Sequence, residues 1–216
     1  MRRRAPRRPG RGRAGAPRSR ARPGAAAIFG LTYDRSHPPE HSTVAERDDA
    51  APERVVDIPS DERHRFGTVG ELVDASDLVV SGRVAAAESG RIFGAGDAAI
   101  RSHVLTVRVD SVLAGSQRPA GAGTVVLVEE EAELADGTPV RIDGMRAGRV
   151  GDDGIWFLAA SRDPDFPGYA VVNAQGRYLV GADGAIEGGD ASDDLVRDLQ
   201  TLGREKLADA VRDTAR

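Results

Sequence analysis

The sequence has no cysteine, which excludes a disulfide framework, a thiolate nucleophile and any cysteine-ligated metal site. Aromatic residues make up only 4% and hydrophobic residues 40%, so the core must be built mainly from Val, Leu, Ile and Ala. Lysine is almost missing, with Lys206 alone against 29 arginines. Together with abundant Ala, Gly and Pro, this reads as GC-rich coding before it reads as selection for guanidinium chemistry. No run approaches the roughly 18–20 apolar residues of a membrane span. The one apolar patch near the start, Ala25 to Leu31, is shorter than a signal-peptide core and has no convincing cleavage site, although Arg2-Arg3 superficially resembles a twin-arginine signal. The absence of a signal peptide predicts a cytoplasmic protein. A misassigned start codon would leave an extracytoplasmic one open.

What is present is unevenly placed. The 216 residues carry a formal net charge of −4, but residues 1–22 hold ten arginines and no acid, a local charge of +10. Residues 67–216 hold 15 basic and 25 acidic side chains, a net of −10. So acidic a body repels a phosphate backbone. Any affinity for nucleic acid or an anionic membrane surface must therefore lie in the arginine-rich arm.

Residues 1–65 are rich in Arg, Pro and Gly with little apolar periodicity, and are expected to form a disordered arm. Val55, Val56 and Ile58 form a brief extended patch suited to docking on the domain. Order is expected from Phe66. Thr68 followed by Glu71 has capping-box spacing and predicts a short helix over Val69–Ser76. Strands are expected at Leu78–Val84, His103–Leu113, Thr124–Leu134, Pro139–Ile142, Ile155–Leu158, Tyr169–Val172 and Tyr178–Val180. The second is the clearest, because Leu105, Val107 and Val109 alternate with Thr106, Arg108 and Asp110. Asp136-Gly137 is a hairpin signal. Short strands punctuated by Gly and Asp indicate a mainly β fold, a small antiparallel barrel or sandwich spanning residues 66–188. Ser192 looks like an N-cap for a helical segment over 189–216, with Leu195, Leu199 and Leu202 at helical spacing and Gly203 as a break.

The runs Ala75-Ser76-Asp77-Leu78-Val79-Val80-Ser81-Gly82-Arg83-Val84, Val104 to Gly115, Gly154-Ile155-Trp156-Phe157-Leu158, Tyr169-Ala170-Val171-Val172 and Gln175-Gly176-Arg177-Tyr178 carry a likeness. In that order they resemble small OB-like barrels of uncharacterised bacterial proteins and, more distantly, netrin- and TIMP-like modules. The resemblance implies an OB-like barrel with a short N-terminal and a C-terminal helix, without a catalytic signature.

Candidate chemistry is sparse. His37-Pro38-Pro39-Glu40-His41 fits H-x-x-E-H, but its two prolines are incompatible with the helix that zinc-protease pattern needs. Gly94-Ala95-Gly96 is too incomplete for a phosphate loop. Glu129, Glu131 and Glu133 are expected on one strand face, with Glu130 on the other. Such carboxylates suit acid–base chemistry or a hard cation, and more commonly form a solvated strand end that protects an edge. Asp152-Asp153 and Asp163-Pro164-Asp165 are turn residues first. His103 has no serine tied to it by a motif, whether Ser102 or Ser161. Trp156, Phe157, Tyr169 and Tyr178 read as core and rim. The residues predict a non-catalytic binding module, with no cofactor and no metal, that meets a protein partner through Thr106, Arg108, Asp110, Glu129, Glu131 and Glu133. The alternatives are electrostatic binding of nucleic acid or membrane through the arm, and an unrecognised hydrolase.

Overall fold

The computed structural model describes residues 54–59, 64–115 and 123–215. Over these residues the chain is mainly β, with ten strands and three α-helices. In chain order they are β1 (Val56–Ile58), α1 (Val69–Asp74), β2 (Leu78–Phe93), β3 (Ile100–Gly115), β4 (Val125–Leu134), β5 (Val140–Ile142), β6 (Met145–Arg146), β7 (Asp153–Ala160), β8 (Tyr169–Val171), β9 (Arg177–Val180), β10 (Ile186–Glu187), α2 (Asp194–Gln200) and α3 (Gly203–Thr214). No helix among the described residues is long and apolar enough to cross a membrane.

Helix α1 starts where its capping residues require. Thr68 Oγ1 accepts from the Glu71 amide at 3.2 Å, and the Glu71 carboxylate accepts from the Gly67 amide at 2.7 Å. The helix lays Leu72 and Val73 against the sheet. β2 and β3 then form a hairpin of two 16-residue strands, both longer than their apolar alternation suggests. Its outer part, Ala85 to Phe93, is held by pairing with β3 rather than by its own propensity. Four register shifts bend this hairpin. At one of them Gly82 is needed for close approach, since a Cβ there would lie 2.4 Å from the Arg108 carbonyl oxygen.

Seven strands pair in the order β10-β9-β7-β2-β3-β4-β8, and β8 also pairs with β7. The β4–β8 step is parallel. A second sheet, β1-β5-β6, puts the Val56–Ile58 patch in parallel register beside the strand that follows the Asp136-Gly137 turn, Val56 opposite Val140.

Apolar clusters cover both sides of the large sheet. Leu78 and Val80 join Leu105, Val107, Val128, Trp156 and Leu158, while Val79 joins Phe157, Tyr178 and the helical residues Leu72, Val196, Leu199, Leu207 and Val211. This explains why Leu78-Val79-Val80 is a continuous apolar run: successive side chains feed opposite cores.

The C-terminal helix pair departs from expectation at its start. Asp193 is the N-cap of α2, its carboxylate accepting from the Val196 amide at 3.0 Å. Ser192 is instead held by Asp190, which accepts from both its amide and its hydroxyl. Gly203, at φ +74°, opens α3 and breaks it from α2. Buried Gln175 clasps the chain around this corner. Its side-chain oxygen accepts from the Phe66 amide at 2.8 Å, and its nitrogen donates to the Phe66 carbonyl at 2.9 Å and to Asp193 at 3.0 Å. Arg65 adds ion pairs to Asp190 at 2.6 Å and Asp193 at 3.3 Å.

Candidate binding site

The acidic run lies on β4. Val126 and Val128 point into the cluster with Leu105 and Trp156, so the pleat turns Glu130 to that side and Glu129 and Glu131 to the other. Glu133 does not continue the Glu129–Glu131 row. Ser102 faces Glu131 and Arg101 faces Glu133, a one-residue shift at Ala132. This bulge brings Glu133 within 3.6 Å of Arg101 and 4.0 Å of His103. The run is not a solvated strand end either, since the side chains of Glu129 and Glu130 are only 9% and 7% exposed.

Buried carboxylates need cations and donors, and three arginines remote in sequence organise this region. Arg91, from the outer part of β2, grips Glu129 with two bonds of 3.0 and 2.6 Å, and the Ser102 hydroxyl donates to the same carboxylate at 2.8 Å. The same guanidinium reaches Asp163 in the β7–β8 connection and lies 4.9 Å over the Phe93 ring. Arg177, 2% exposed and paired in register with Trp156, meets Glu130 and also donates to the Arg146 carbonyl. Glu130 accepts in addition from the Gly148 amide. Arg146 in turn holds Asp152 with bonds of 2.7 and 3.0 Å. Burial pushes the Asp152 carboxyl up, but hydrogen bonds from Arg146 and the Arg149 amide outweigh it and hold the group below the ordinary carboxylate range.

Between β4, the β5–β6 hairpin and the β7–β8 connection lies a cavity of about 510 Å³. Phe93, Ile142, Met145, Phe166, Tyr169 and Val171 supply its apolar walls. Its charged lining is balanced in sign: Arg91, Arg146, Arg162 and Arg177 against Glu129, Glu130, Glu131 and Asp163. The three guanidinium systems above neutralise all of these but two. Glu131, on β4, and Arg162, in the β7–β8 connection, have no ion pair or side-chain hydrogen bond among the described residues. Glu131 is solvent-accessible as a residue, yet the protein around its carboxyl raises it above the ordinary range by burial. Burial, and then the nearby Asp77 charge, likewise raises the Tyr169 hydroxyl.

No protein-family model matches this chain, and no curated protein matches it in sequence.

The residues singled out from the sequence are therefore only partly brought together. Glu129 and Glu131 line the cavity; Glu133 does not. Thr106, Arg108 and Asp110 lie further along β3, opposite the start of β4 and away from the cavity, and Asp110 pairs with Arg204 of α3 at 3.1 Å. His103 borders a separate cavity of about 220 Å³, together with Glu133 and Arg149. Ser161 lines the larger cavity, but its hydroxyl accepts from the Asp163 amide in a turn that Asp165 continues. Asp153 pairs with Arg83. Trp156, Phe157 and Tyr178 are fully buried, and Tyr169 is at the cavity. Gly94 to Gly96 form part of the connection between β2 and β3. The arginine-rich arm and the His37–His41 segment lie outside the described residues. Among the described residues no three His, Asp or Glu side chains converge to hold a metal ion.

Sequence reading missed Arg91, Arg162, Arg177, Phe93, Phe166 and Met145. One signal was available for the Arg177 pair. Carried one step past Val126 and Val128, the alternation on β4 turns Glu130 inward, where a carboxylate demands a buried cation. Nothing local to Arg91 marks it out.

Proposed function

We propose that the chain is a non-catalytic binding module built on an OB-like barrel, with the 510 Å³ cavity as its ligand site. Strand pairing supports the barrel: β7 pairs with β2, β2 with β3, β3 with β4, β4 with β8, and β8 again with β7. A ring of five with one parallel step, β4–β8, is the order an OB-like barrel needs. The resemblance to netrin- and TIMP-like modules belongs to the same proposal.

The observation that carries the binding role is the composition of the cavity. Apolar and aromatic walls stand beside charged groups most of which are fixed by ion pairs, a combination that suits a small polar ligand with an apolar part. Its histidine-free lining has its serine engaged in a turn and most of its carboxylates held by guanidinium groups. That arrangement supports recognition better than proton transfer or nucleophilic attack, which need a nucleophile within reach of a free base.

A fragment screen by ligand-observed NMR tests this directly. Ala170 is exposed and lines the cavity, so Ala170→Trp should fill it and abolish fragment binding while the circular dichroism spectrum is retained. Undiminished binding to that variant contradicts the assignment.

The +10 charge of residues 1–22 favours a second reading, electrostatic attachment of the protein to nucleic acid or an anionic surface. Deleting residues 1–24 should abolish low-salt binding to RNA or anionic vesicles. Binding that survives the deletion removes this reading.

A further inference from the structure

Taking the cavity to be the ligand site, we infer that it selects an amphiphilic cation: an ammonium or guanidinium group carried on an apolar body. Most charges of the lining are already used by the fold. Arg91 is shared between Glu129 and Asp163, Arg177 is committed to Glu130, and Arg146 to Asp152. The carboxylate left over is Glu131, one strand position from Glu130 and turned to the opposite side of β4. It lines the same cavity as the rings of Phe166 and Tyr169, the Phe93 ring being already covered by Arg91. A carboxylate and aromatic rings lining one cavity suit a cation, which gains a charge-assisted bond from the first and a quadrupole attraction from the second. An apolar body fits the remaining wall, where Ile142 and Met145 project from the small hairpin.

Burial raises the Glu131 carboxyl, with no neighbouring cation opposing that rise. An arriving cation would supply the missing counter-charge. Arg162 is the other uncommitted charge of the lining and is exposed in the β7–β8 connection. It is the group that would favour an anion instead, and so it defines the competing outcome.

A cationic group on an apolar body could come from a small amine or from a lysine or arginine side chain within an apolar peptide. Isothermal titration with three probes of one shape, phenylpropylammonium, phenylpropanol and phenylpropionate, measures the charge preference. A capped peptide with one lysine between apolar residues, compared with its norleucine counterpart, separates the two sources. The cation should bind about five- to tenfold more tightly than the neutral probe, the size of one partly screened charge pair. Glu131→Gln, at an exposed position without a partner, should bring the two within about twofold, and Arg162→Ala should preserve or increase the preference. A stronger response to the peptide than to the amine assigns the site to a partner side chain, and the reverse assigns it to a small molecule; both support the cation. Equal affinity for cation and alcohol, or tightest binding of the carboxylate with its loss in Arg162→Ala, overturns the inference while leaving the cavity a binding site. Failure of all the probes and peptides to bind overturns the ligand site and the inference together.

Discussion

Under α1, α2 and α3 the sheet is finished with Leu72, Val196, Leu199, Leu207 and Val211, and the polar groups that matter there, Gln175, Asp190 and Asp193, stand at the border where the helix begins. At the cavity end β4 and β9 bury Glu130 with Arg177, and the outer part of β2 anchors Arg91 on Glu129. The first region gains free energy simply by removing apolar surface from water, about 1.5–3 kcal/mol for each large side chain. The second takes ions out of water, and an ion pair repays that cost only when its geometry is good and its remaining donors and acceptors are satisfied. Arg177 meets that condition by contacting both Glu130 and the Arg146 carbonyl, and Glu130 by accepting from Gly148 as well. A fold that needed only stability could have used apolar residues at these two positions. The helix side holds the sheet together, while the cavity end fixes the shape and charge of a site.

The largest expected effect breaks the cavity side. Arg177→Met leaves Glu130 buried without its cation and should cost about 3–5 kcal/mol in urea denaturation. Adding Glu130→Leu should recover most of that loss, since the penalty lies in the orphaned charge. Recovery of stability without recovery of ligand binding would separate the two regions cleanly.

On the helix side, Leu207→Ala removes a fully buried side chain and should cost about 3 kcal/mol. Its signature is a loss of stability with cavity affinity unchanged within about twofold. A large change in affinity would mean that the regions are coupled.

These two positions also show what could be read in advance. Leu207 was legible because a helix repeats its apolar stripe locally: with Val211 it forms the buried face of α3, as Leu195 and Leu199 do in α2. The inward rows of β3 were legible for the same reason, with a period of two. Arg177 and Glu130 were not, because their pairing depends on β9 meeting β7 and on the position of the β5–β6 hairpin, both long-range facts. Glu133 was misplaced because a bulge is set by the pairing of two strands and leaves no mark in the alternation of either one. Ser192 and Asp193 are both good caps, and only the Asp190 contact decides between them.

A smaller effect is expected at the border between α2 and β9. Gln175→Ala removes the clasp on Phe66 and the donor to Asp193, and should cost about 1–3 kcal/mol. Smaller still is its acid dependence. The Ser192 hydroxyl and Arg65 hold the Asp190 carboxyl down at about 2. Because its folded-state value is depressed, the contribution is complete above the ordinary carboxylate value, 3.8, and is lost as the pH falls through about 2. Urea midpoints measured from about pH 5 down to about pH 2 should therefore fall less steeply in Arg65→Ala than in the wild-type chain. An unchanged slope would show that Arg65 makes no titrating contribution through Asp190.

Backbone amide shifts, mapped while the tightest of the three phenylpropyl probes is titrated into the full chain, show whether the cavity end is the binding end. The shifts should concentrate at Phe93, Glu129 to Glu131, Met145 and the stretch from Arg162 to Ala174, with α2 and α3 silent. Shifts concentrated on the helices, or spread along β3 through Thr106, Arg108 and Asp110 with the cavity silent, would contradict it.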